Sequence, residues 1–284
     1  MREALITRDG RVLSYEREGA GPLLVCHPGG PGFSSRYFGD LAGLGASFTL
    51  VKLNPRGTEG SDRPADPRAY ETADYAADLE ELRVQLGTDR LDLLGHSHGG
   101  VVAMAYAAAH PSRVRRLVLM STLPRFQAVQ AAAMEAAMEA RAGEPWYADA
   151  HAALEAEQAG EFGSDEELGD LVIRELPFYF AHYGDAERMY LDTLRVEKPN
   201  ADALRLFNEE VFSVFDLRPE LARIKAKTLV ITGEDDFITG PLCAADLAAA
   251  LPGTEVVLVP ACGHFLFVEA RDRCREEVTR FVGA

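Results

Sequence analysis

Residues 91–100, which read Leu-Asp-Leu-Leu-Gly-His-Ser-His-Gly-Gly, decide the fold of this chain. Their apolar beginning predicts a short buried strand, and the small residues after it predict a helix that extends to about His110. A sharp turn between a strand and a helix requires small residues on both sides of its centre, and Gly95 and Gly99 supply them. Ser97 lies midway between these glycines, so we expect its hydroxyl to project above the sheet, near the positive end of the helix.

Strands and helices alternate on both sides of this stretch. Apolar and β-branched runs predict strands at 3–7, 11–17, 23–26, 48–53, 91–94, 114–120, 228–232 and 255–259. Helical patterns predict helices at 73–86, at 97–110, from about 241 and at 269–281. From residue 122 to residue 223 the alternation stops, and the chain becomes rich in Ala, Glu and aromatic residues with helical character.

This pattern predicts the α/β class. Continuous apolar runs are typical of parallel strands that are covered on both faces. We therefore expect a mostly parallel sheet flanked by helices, built from residues 1–121 and 224–284, with a helical cap inserted at residues 122–223. Ligands of such sheets bind beyond the carboxyl ends of the strands. Reactive groups are expected in the loops that follow strands.

The composition excludes several classes of protein. The net charge of −16 disfavours binding to nucleic acid or to an anionic membrane. The sequence has no apolar run of about 18 residues and no apolar signal core, so we expect a soluble, cytoplasmic protein. The four cysteines lack metal-ligand spacing, and we expect free buried thiols rather than a disulfide between Cys26 and Cys262. Neither a metal nor a cofactor is predicted.

A serine hydroxyl becomes an effective nucleophile only when a base accepts its proton, and seven histidines are available. His264 is the strongest candidate, because it lies in a short loop directly after the last predicted strand. Its ring needs an acidic partner, and the loop after the preceding strand offers three carboxylates. We favour Asp236 and keep Asp235 and Glu234 as alternatives. Three such groups, each directly after a strand, predict nucleophilic catalysis by Ser97.

This chemistry also requires two backbone N–H groups that bind the negatively charged oxygen of the intermediate. The amide of His98, at the start of the predicted helix, is expected to be one of them. The other is expected from the loop at residues 27–32, which reads His-Pro-Gly-Gly-Pro-Gly. Because proline has no N–H, Gly29 or Gly30 must donate, and we favour Gly30. One such donor contributes about 3 kcal/mol of transition-state stabilisation.

Two loops resemble those of a known family. Residues 27–32 resemble the H-G-G-P-G loop of proline iminopeptidases and their relatives, and residues 54–61 resemble the D-Q-R-G-x-G-x-S segment of that family. The whole chain resembles an α/β-hydrolase. Two departures are visible. Pro28 is inserted between the histidine and the glycines, and Asn54 replaces an aspartate that would brace the loop through Arg56.

The resemblance implies hydrolysis of an acyl bond in a small molecule or short peptide, through an acyl-enzyme and without a cofactor. Removal of an N-terminal proline requires carboxylates in the cap that hold the free amine, and Glu209 and Glu210 are candidates for this role. The single tryptophan, Trp146, departs from the tryptophan-rich cap segment of true iminopeptidases.

Other functions remain open at this level. The substrate could instead be a carboxylic ester or a lactone, and a similar triad also cleaves carbon–carbon bonds. A ligand receptor on a hydrolase scaffold is the alternative outside enzymes. Dehalogenases and epoxide hydrolases are disfavoured because they need an aspartate nucleophile. We expect a structural role for His96 and a place at the pocket border for His98.

Overall fold

The alternating segments form one eight-stranded sheet in the computed structural model, which describes residues 1–66, 68–196, 198–212 and 214–283. The strands are β1 Arg2–Ile6, β2 Val12–Gly19, β3 Leu23–His27, β4 Thr49–Leu53, β5 Leu91–His96, β6 Val114–Met120, β7 Lys227–Gly233 and β8 Glu255–Val259. Their order across the sheet is β1-β2-β4-β3-β5-β6-β7-β8. β2 pairs antiparallel with both β1 and β4, and all neighbouring strands among β3 to β8 pair in parallel.

Helices pack on both faces of the sheet and fill the region between β6 and β7. They are α1 Thr72–Gln85, α2 His98–Ala109, α3 Ala128–Glu139, α4 Tyr147–Gln158, α5 Asp165–Glu175, α6 Asp185–Leu194, α7 Ala201–Leu206, α8 Arg218–Leu221, α9 Pro241–Ala250, α10 Leu266–Glu269 and α11 Arg271–Gly283. Short 3₁₀ segments lie at Ser35–Phe38, Leu41–Ala46 and Leu176–Tyr179, and a π-helical turn at Phe207–Val211. Within the described ranges, every helix is too short or too polar to cross a membrane.

The predicted α/β class with a mostly parallel sheet is confirmed. Successive residues of β3 point to opposite faces, so Leu24 belongs to one core cluster and Val25 to the other. One cluster packs under α1 and α2, and the other packs under α11. Burial on both faces is the reason why the central strands read as unbroken apolar runs. All four cysteines are buried and free, as expected.

The C-terminal helix differs from its prediction. The sequence predicts one helix at 269–281, but Ala270 has φ −125° and ψ 48°, which ends α10 and separates it from α11. The carboxylate of Glu269 accepts hydrogen bonds from backbone N–H groups outside the helix, those of Ala181 and Gly263. Tertiary contacts of one side chain therefore accompany a break that helical periodicity does not reveal.

The loop after β4 is braced by a carboxylate from elsewhere in the chain. Arg56 Nε donates to Asp78 Oδ2 of α1 at 2.8 Å, and both side chains are almost fully buried. Asn54 instead accepts hydrogen bonds from the N–H and hydroxyl of Ser35 through Oδ1, and donates to Ser14 Oγ. Replacement of the family's aspartate by Asn54 thus leaves Arg56 paired.

The region between β6 and β7 is helical in its described part, apart from one isolated bridge between Arg125 and Asp216. Its aromatic residues form clusters that pack over the carboxyl ends of the strands, with Phe178 stacked on Phe237 at 5.7 Å between ring centres. The assignment of residues 122–223 to a separate cap stays a prediction. For brevity, residues 122–223 are called the cap below.

Candidate active site

Ser97 occupies the turn between β5 and α2 in a backbone conformation that is rare outside glycine, with φ 55° and ψ −124°. Hydrogen bonds hold this turn in place. The N–H of Ser97 donates to the carbonyl of Met120 at 3.0 Å, and the hydroxyl of Thr122 donates to the carbonyl of Ser97 at 2.6 Å. The side chain of Ser97 is partly exposed and lines a cavity. This is the strained turn that the glycine spacing predicts.

Glycines allow three backbone segments to meet at Ser97. A Cβ atom on Gly95 would overlap the carbonyl of Gly99, and a Cβ atom on Gly99 would overlap the carbonyl of His27. A Cβ atom on Gly29 would lie 2.8 Å from Cβ of Ser97, which is closer than real Cβ atoms approach. A larger residue at position 95 would therefore distort the turn itself, and one at position 29 or 99 would push the loop after β3 away from the serine.

Asp236 and His264 form a buried pair, with Oδ2 and Nδ1 2.9 Å apart. Asp236 also accepts hydrogen bonds from the N–H of Thr239 at 3.0 Å and from its hydroxyl at 2.6 Å. Burial acts to raise the pKa of Asp236, but the charge of His264 and these hydrogen bonds lower it to about 2. Since an ionised carboxylate only accepts, Nδ1 of His264 carries a hydrogen and Nε2 is left to accept a proton.

Ser97 and His264 line the same cavity, although no hydrogen bond joins their side chains in the described part of the chain. Such bonds are often long in free enzymes and tighten when substrate binds. The alternative acids, Glu234 and Asp235, are exposed, whereas Asp236 is buried. Geometry therefore favours Asp236 as the partner of His264.

A directional chain of hydrogen bonds connects the loop after β3 with the loop of His264. His96 Nε2 lies 3.0 Å from the carbonyl oxygen of His264, which can only accept, so Nε2 carries the hydrogen. Its Nδ1 then accepts from the hydroxyl of Tyr37 at 2.8 Å, and that hydroxyl accepts from the N–H of Gly29 at 2.6 Å. Burial lowers the pKa of His96 to about 3, so the ring is neutral and this pattern persists.

The chain of hydrogen bonds distinguishes the two candidate glycines. The N–H of Gly29 is used by Tyr37, whereas the N–H of Gly30 has no acceptor among the described residues. Gly30 has φ 110°, a conformation that glycine adopts readily. His98 is the first residue of α2, where N–H groups have no partner within the helix.

The ring of His98 lies away from the cavity. It packs edge-on against Tyr75 and Phe207, at 5.4 and 5.1 Å between ring centres. Burial lowers its pKa to about 3. The expectation that His98 borders the pocket is thus wrong for its side chain, because the sharp turn directs it into the packing between α2 and the cap. His96 is the flanking histidine that lines the cavity, and its ring is held between the carbonyl of His264 and the hydroxyl of Tyr37, which agrees with the expected structural role.

The cavity above Ser97 lies between the strand-end loops and the cap, and encloses about 820 Å³ including its open mouth. On the side of the sheet, Gly29, Gly30, His96 and His264 contribute to the wall. The apolar part of the wall is formed by Phe33, Tyr37, Val172, Ile173, Leu176, Tyr179, Leu194, Pro199, Leu204 and Phe265.

Two carboxyl groups of the cap face this largely apolar cavity. Glu157 of α4 and Glu175 of α5 are only 8% and 3% exposed. Asn208 Nδ2 donates to Glu157 Oε1 at 3.0 Å, and the hydroxyl of Tyr179 lies 3.5 Å from Glu175 Oε1. Oε2 of Glu175 is buried without a hydrogen-bond partner among the described residues. A buried carboxyl oxygen without a donor indicates a place that a ligand could fill.

The two carboxyl groups influence each other. Burial raises the pKa of Glu157 to about 7 against the hydrogen bond from Asn208. Burial and the negative charge of Glu157 raise the pKa of Glu175 well above its ordinary value. Both changes in pKa favour the protonated forms of the two groups. A cation placed between the two groups would favour their ionised forms.

Neither residue is predicted from the sequence, which instead favours Glu209 and Glu210 as holders of the amine. Glu209 is exposed and is absent from the described cavity wall, and the side chain of Glu210 lies outside what the structure describes. Glu157 and Glu175 belong to helices with several other acidic residues, so spacing alone does not distinguish them. The only signal in the sequence is that Glu175 directly precedes the apolar segment Leu-Pro-Phe-Tyr-Phe.

Comparisons with known proteins agree with the observed fold. The family model described as alpha/beta hydrolase fold matches residues 22–270. A proline iminopeptidase from Levilactobacillus brevis is 28% identical, with 96% of this chain and 92% of that protein covered. A 2-(acetamidomethylene)succinate hydrolase from Mesorhizobium japonicum is 26% identical, with 97% and 93% covered.

Solved structures show the same similarity over the whole length. The crystal structure of a hydrolase from Pseudomonas aeruginosa PA01 superposes with a TM-score of 0.74 at 26% identity, and 100% of this chain and 98% of that one are covered. Because the family model spans most of the chain and the strand order, the turn at Ser97 and these relatives agree with it, the protein belongs to the α/β-hydrolase family and is a hydrolase enzyme.

Proposed function

We propose that this protein cleaves the acyl bond that follows an N-terminal residue with a free amine, by means of Ser97, His264 and Asp236. The observation that carries the proposal is that one cavity contains both a candidate nucleophile with its base and a pair of buried carboxyl groups. Ser97 and His264, which is bonded to Asp236, line its base, and the buried carboxyl groups of Glu157 and Glu175 line it from the cap. The similarity to proline iminopeptidases supports the same substrate class.

The proposed reaction proceeds in two halves. His264 Nε2 takes the proton of Ser97 as its oxygen attacks the carbonyl carbon, and the protonated ring then gives this proton to the leaving amine. The acyl group remains on Ser97 as an ester. A water molecule attacks this ester while His264 takes one of its protons, and return of that proton to Ser97 releases the acid. Asp236 keeps the ring oriented and stabilises its positive charge throughout.

We propose that the amides of His98 and Gly30 bind the oxygen that becomes negative in each half. The N–H of His98 adjoins Ser97 in the chain, Gly30 lines the same cavity as Ser97, and the N–H of Gly29 is already bonded to Tyr37. A preorganised donor of this kind contributes about 3 kcal/mol to the transition state. The insertion of Pro28 therefore leaves the expected donor, Gly30, unchanged.

Glu157 and Glu175 are proposed to hold the substrate's amine. Buried charges require a partner, and a substrate ammonium group would offer hydrogen bonds to Oε2 of Glu175, which has no donor among the described residues. The surrounding wall is apolar and aromatic, which suits the side chain of a proline or another apolar N-terminal residue. Ordinary esters lack the ammonium group and would leave the carboxyl pair protonated.

The test compares proline p-nitroanilide, the same compound with an acetylated amine, p-nitrophenyl acetate and a simple lactone. We expect the free-amine anilide to have the highest kcat/KM. Acetylation should reduce kcat/KM by at least about 100-fold, because it removes the charged partner of the buried carboxyl groups. Glu175→Gln is expected to abolish this preference and to leave turnover of p-nitrophenyl acetate unchanged. Glu209→Gln, an exposed cap carboxylate, serves as the matched control.

Two outcomes would contradict the proposal in different ways. Full activity of Ser97→Ala, or no labelling of Ser97 by a fluorophosphonate, would remove the proposed nucleophile. Equal turnover of free and acetylated anilides, with faster turnover of the ester or lactone, would keep the nucleophile and replace the aminopeptidase by an esterase or lactonase.

A further inference from the structure

The cap segment at residues 178–181, called the docking segment below, is bound directly to both loops of the proposed acid and base. The N–H of His264 donates to the carbonyl of Tyr179 at 2.7 Å. Gly263 packs so tightly there that a Cβ atom would overlap the carbonyl of Tyr179 and lie 2.7 Å from the nitrogen of Ala181. Close backbone contact of this kind requires glycine at position 263.

One carboxylate joins the docking segment to the loop of the base. Glu269 Oε1 accepts from the N–H of Ala181, and Oε2 accepts from the N–H of Gly263, both at 2.8 Å. Glu269 is half-buried, and the reaction proposed above does not use it. Both of its oxygens are committed to backbone donors, one on each side of the boundary between cap and sheet.

One guanidinium joins the docking segment to the loop of the acid. Arg141, which follows α3, donates through Nη1 to the carbonyl of Phe178 at 2.8 Å and through Nη2 to the carbonyl of Asp235 at 2.9 Å. Asp235 directly precedes Asp236, and its N–H donates to the carbonyl of Cys262 in the loop of the base. The three segments are thus linked to one another in a closed ring.

Resting on the function proposed above, we propose that Glu269 and Arg141 are positioning residues that make the docking segment part of the support for Asp236 and His264. The cap then acts as more than a cover over the substrate, since separation of residues 178–181 from the sheet would carry the loop of His264 with it.

A small substrate separates positioning from substrate binding. p-Nitrophenyl acetate is too small to need the cap wall, so a change in its kcat reports on the triad. Glu269→Gln keeps the size of the side chain but presents an NH₂ group to one backbone N–H. We expect kcat to fall by about 10- to 100-fold with KM within about twofold, as small displacements of catalytic groups produce. Arg141→Lys keeps the charge but cannot reach both carbonyls. We expect the same fall in kcat with little change in KM.

Hydrogen exchange provides a readout that does not depend on activity. In Glu269→Gln, amide exchange is expected to accelerate together in peptides that cover 178–182 and 261–266, with little change in α1. Arg195→Lys, an exposed cap arginine paired with Asp192, is the matched control and should leave both readouts unchanged.

The outcomes distinguish this inference from the proposed function. Unchanged kcat in folded Glu269→Gln and Arg141→Lys, or faster exchange in only one of the two segments, overturns the inference. If fluorophosphonate does not label Ser97 in the wild type, but exchange accelerates in both segments of Glu269→Gln, the proposed function alone is overturned. If Glu269→Gln does not fold, Arg141→Lys decides the question by the same two measurements.

Discussion

Replacement of Glu157 by glutamine is expected to stabilise the empty enzyme at alkaline pH while removing its recognition of an amine. Glu157 is 8% exposed and faces Glu175 across an apolar cavity, so its ionised form is unfavourable in the folded chain. Folding raises its pKa from 4.5 to about 7. At about 1.4 kcal/mol per pKa unit, this rise corresponds to about 3 kcal/mol.

The sign of the pH dependence follows from the direction of this change. Because the folded chain binds the proton more tightly than the unfolded chain, the stabilising contribution of Glu157 is fully present below pH 4.5 and is lost as the pH rises through about 7. Most of the loss, about 2 to 3 kcal/mol, falls between pH 5 and pH 8. Glutamine has no proton to lose, and its carbonyl oxygen can still accept from Asn208.

The assay is urea unfolding of the wild type, Glu157→Gln and Glu209→Gln at pH 5 and pH 8. We expect Glu157→Gln to exceed the wild type by about 2 to 3 kcal/mol at pH 8 and by less than about 1 kcal/mol at pH 5. The exposed control Glu209→Gln should stay within about 0.5 kcal/mol at both values. A Glu157→Gln protein that is no more stable than the wild type at pH 8 would refute the reasoning about this buried carboxyl pair.

Three further changes test other parts of the molecule. Asp236→Asn is expected to lower kcat by about 10⁴-fold, since the proposed base loses its oriented tautomer; steady-state kinetics with unchanged far-UV circular dichroism checks this. Tyr37→Phe leaves a buried N–H and an imidazole nitrogen without partners, so the free energy of unfolding should fall by about 1 to 3 kcal/mol, and an unchanged value would contradict the hydrogen-bond chain. Asp78→Asn leaves Arg56 charged and buried, with an expected loss of about 3 to 5 kcal/mol in urea unfolding, against at most about 1 kcal/mol for Asp185→Asn in an exposed pair.

Much of the sheet domain could be predicted because its signals are local. The run into Ser97 combines an apolar strand, two glycines and a small-residue helix within ten residues, and the structure contains the turn that this order requires. The order of Ser97, Asp236 and His264 is predictable for the same reason, since each residue lies in the turn or short loop that follows a strand. The contact between Asp236 and His264 then follows from the parallel pairing of β7 and β8, which places their carboxyl ends side by side.

Less local features could not be predicted. The sequence favours Gly30 as the proposed donor, but the acceptor that occupies the N–H of Gly29 is the hydroxyl of Tyr37, which lies in another segment of the chain. The carboxylate that braces Arg56 comes from α1 rather than from the position in the loop where the family carries an aspartate. Both contacts join residues whose relation is set by packing, and hydrophobic periodicity carries no information about them.

The sequence by itself determined the sheet, the turn that presents Ser97 and the order of the proposed triad, because each depends on residue size and apolar spacing over a few neighbouring positions. Only the tertiary structure decided which acidic residues of the cap face the cavity. Glu157 and Glu175 meet there because α4 and α5 pack side by side above the strand ends, whereas Glu209 points to solvent. The sequence of a helix with acidic residues on several faces does not show which face is buried. Packing against neighbouring helices determines this.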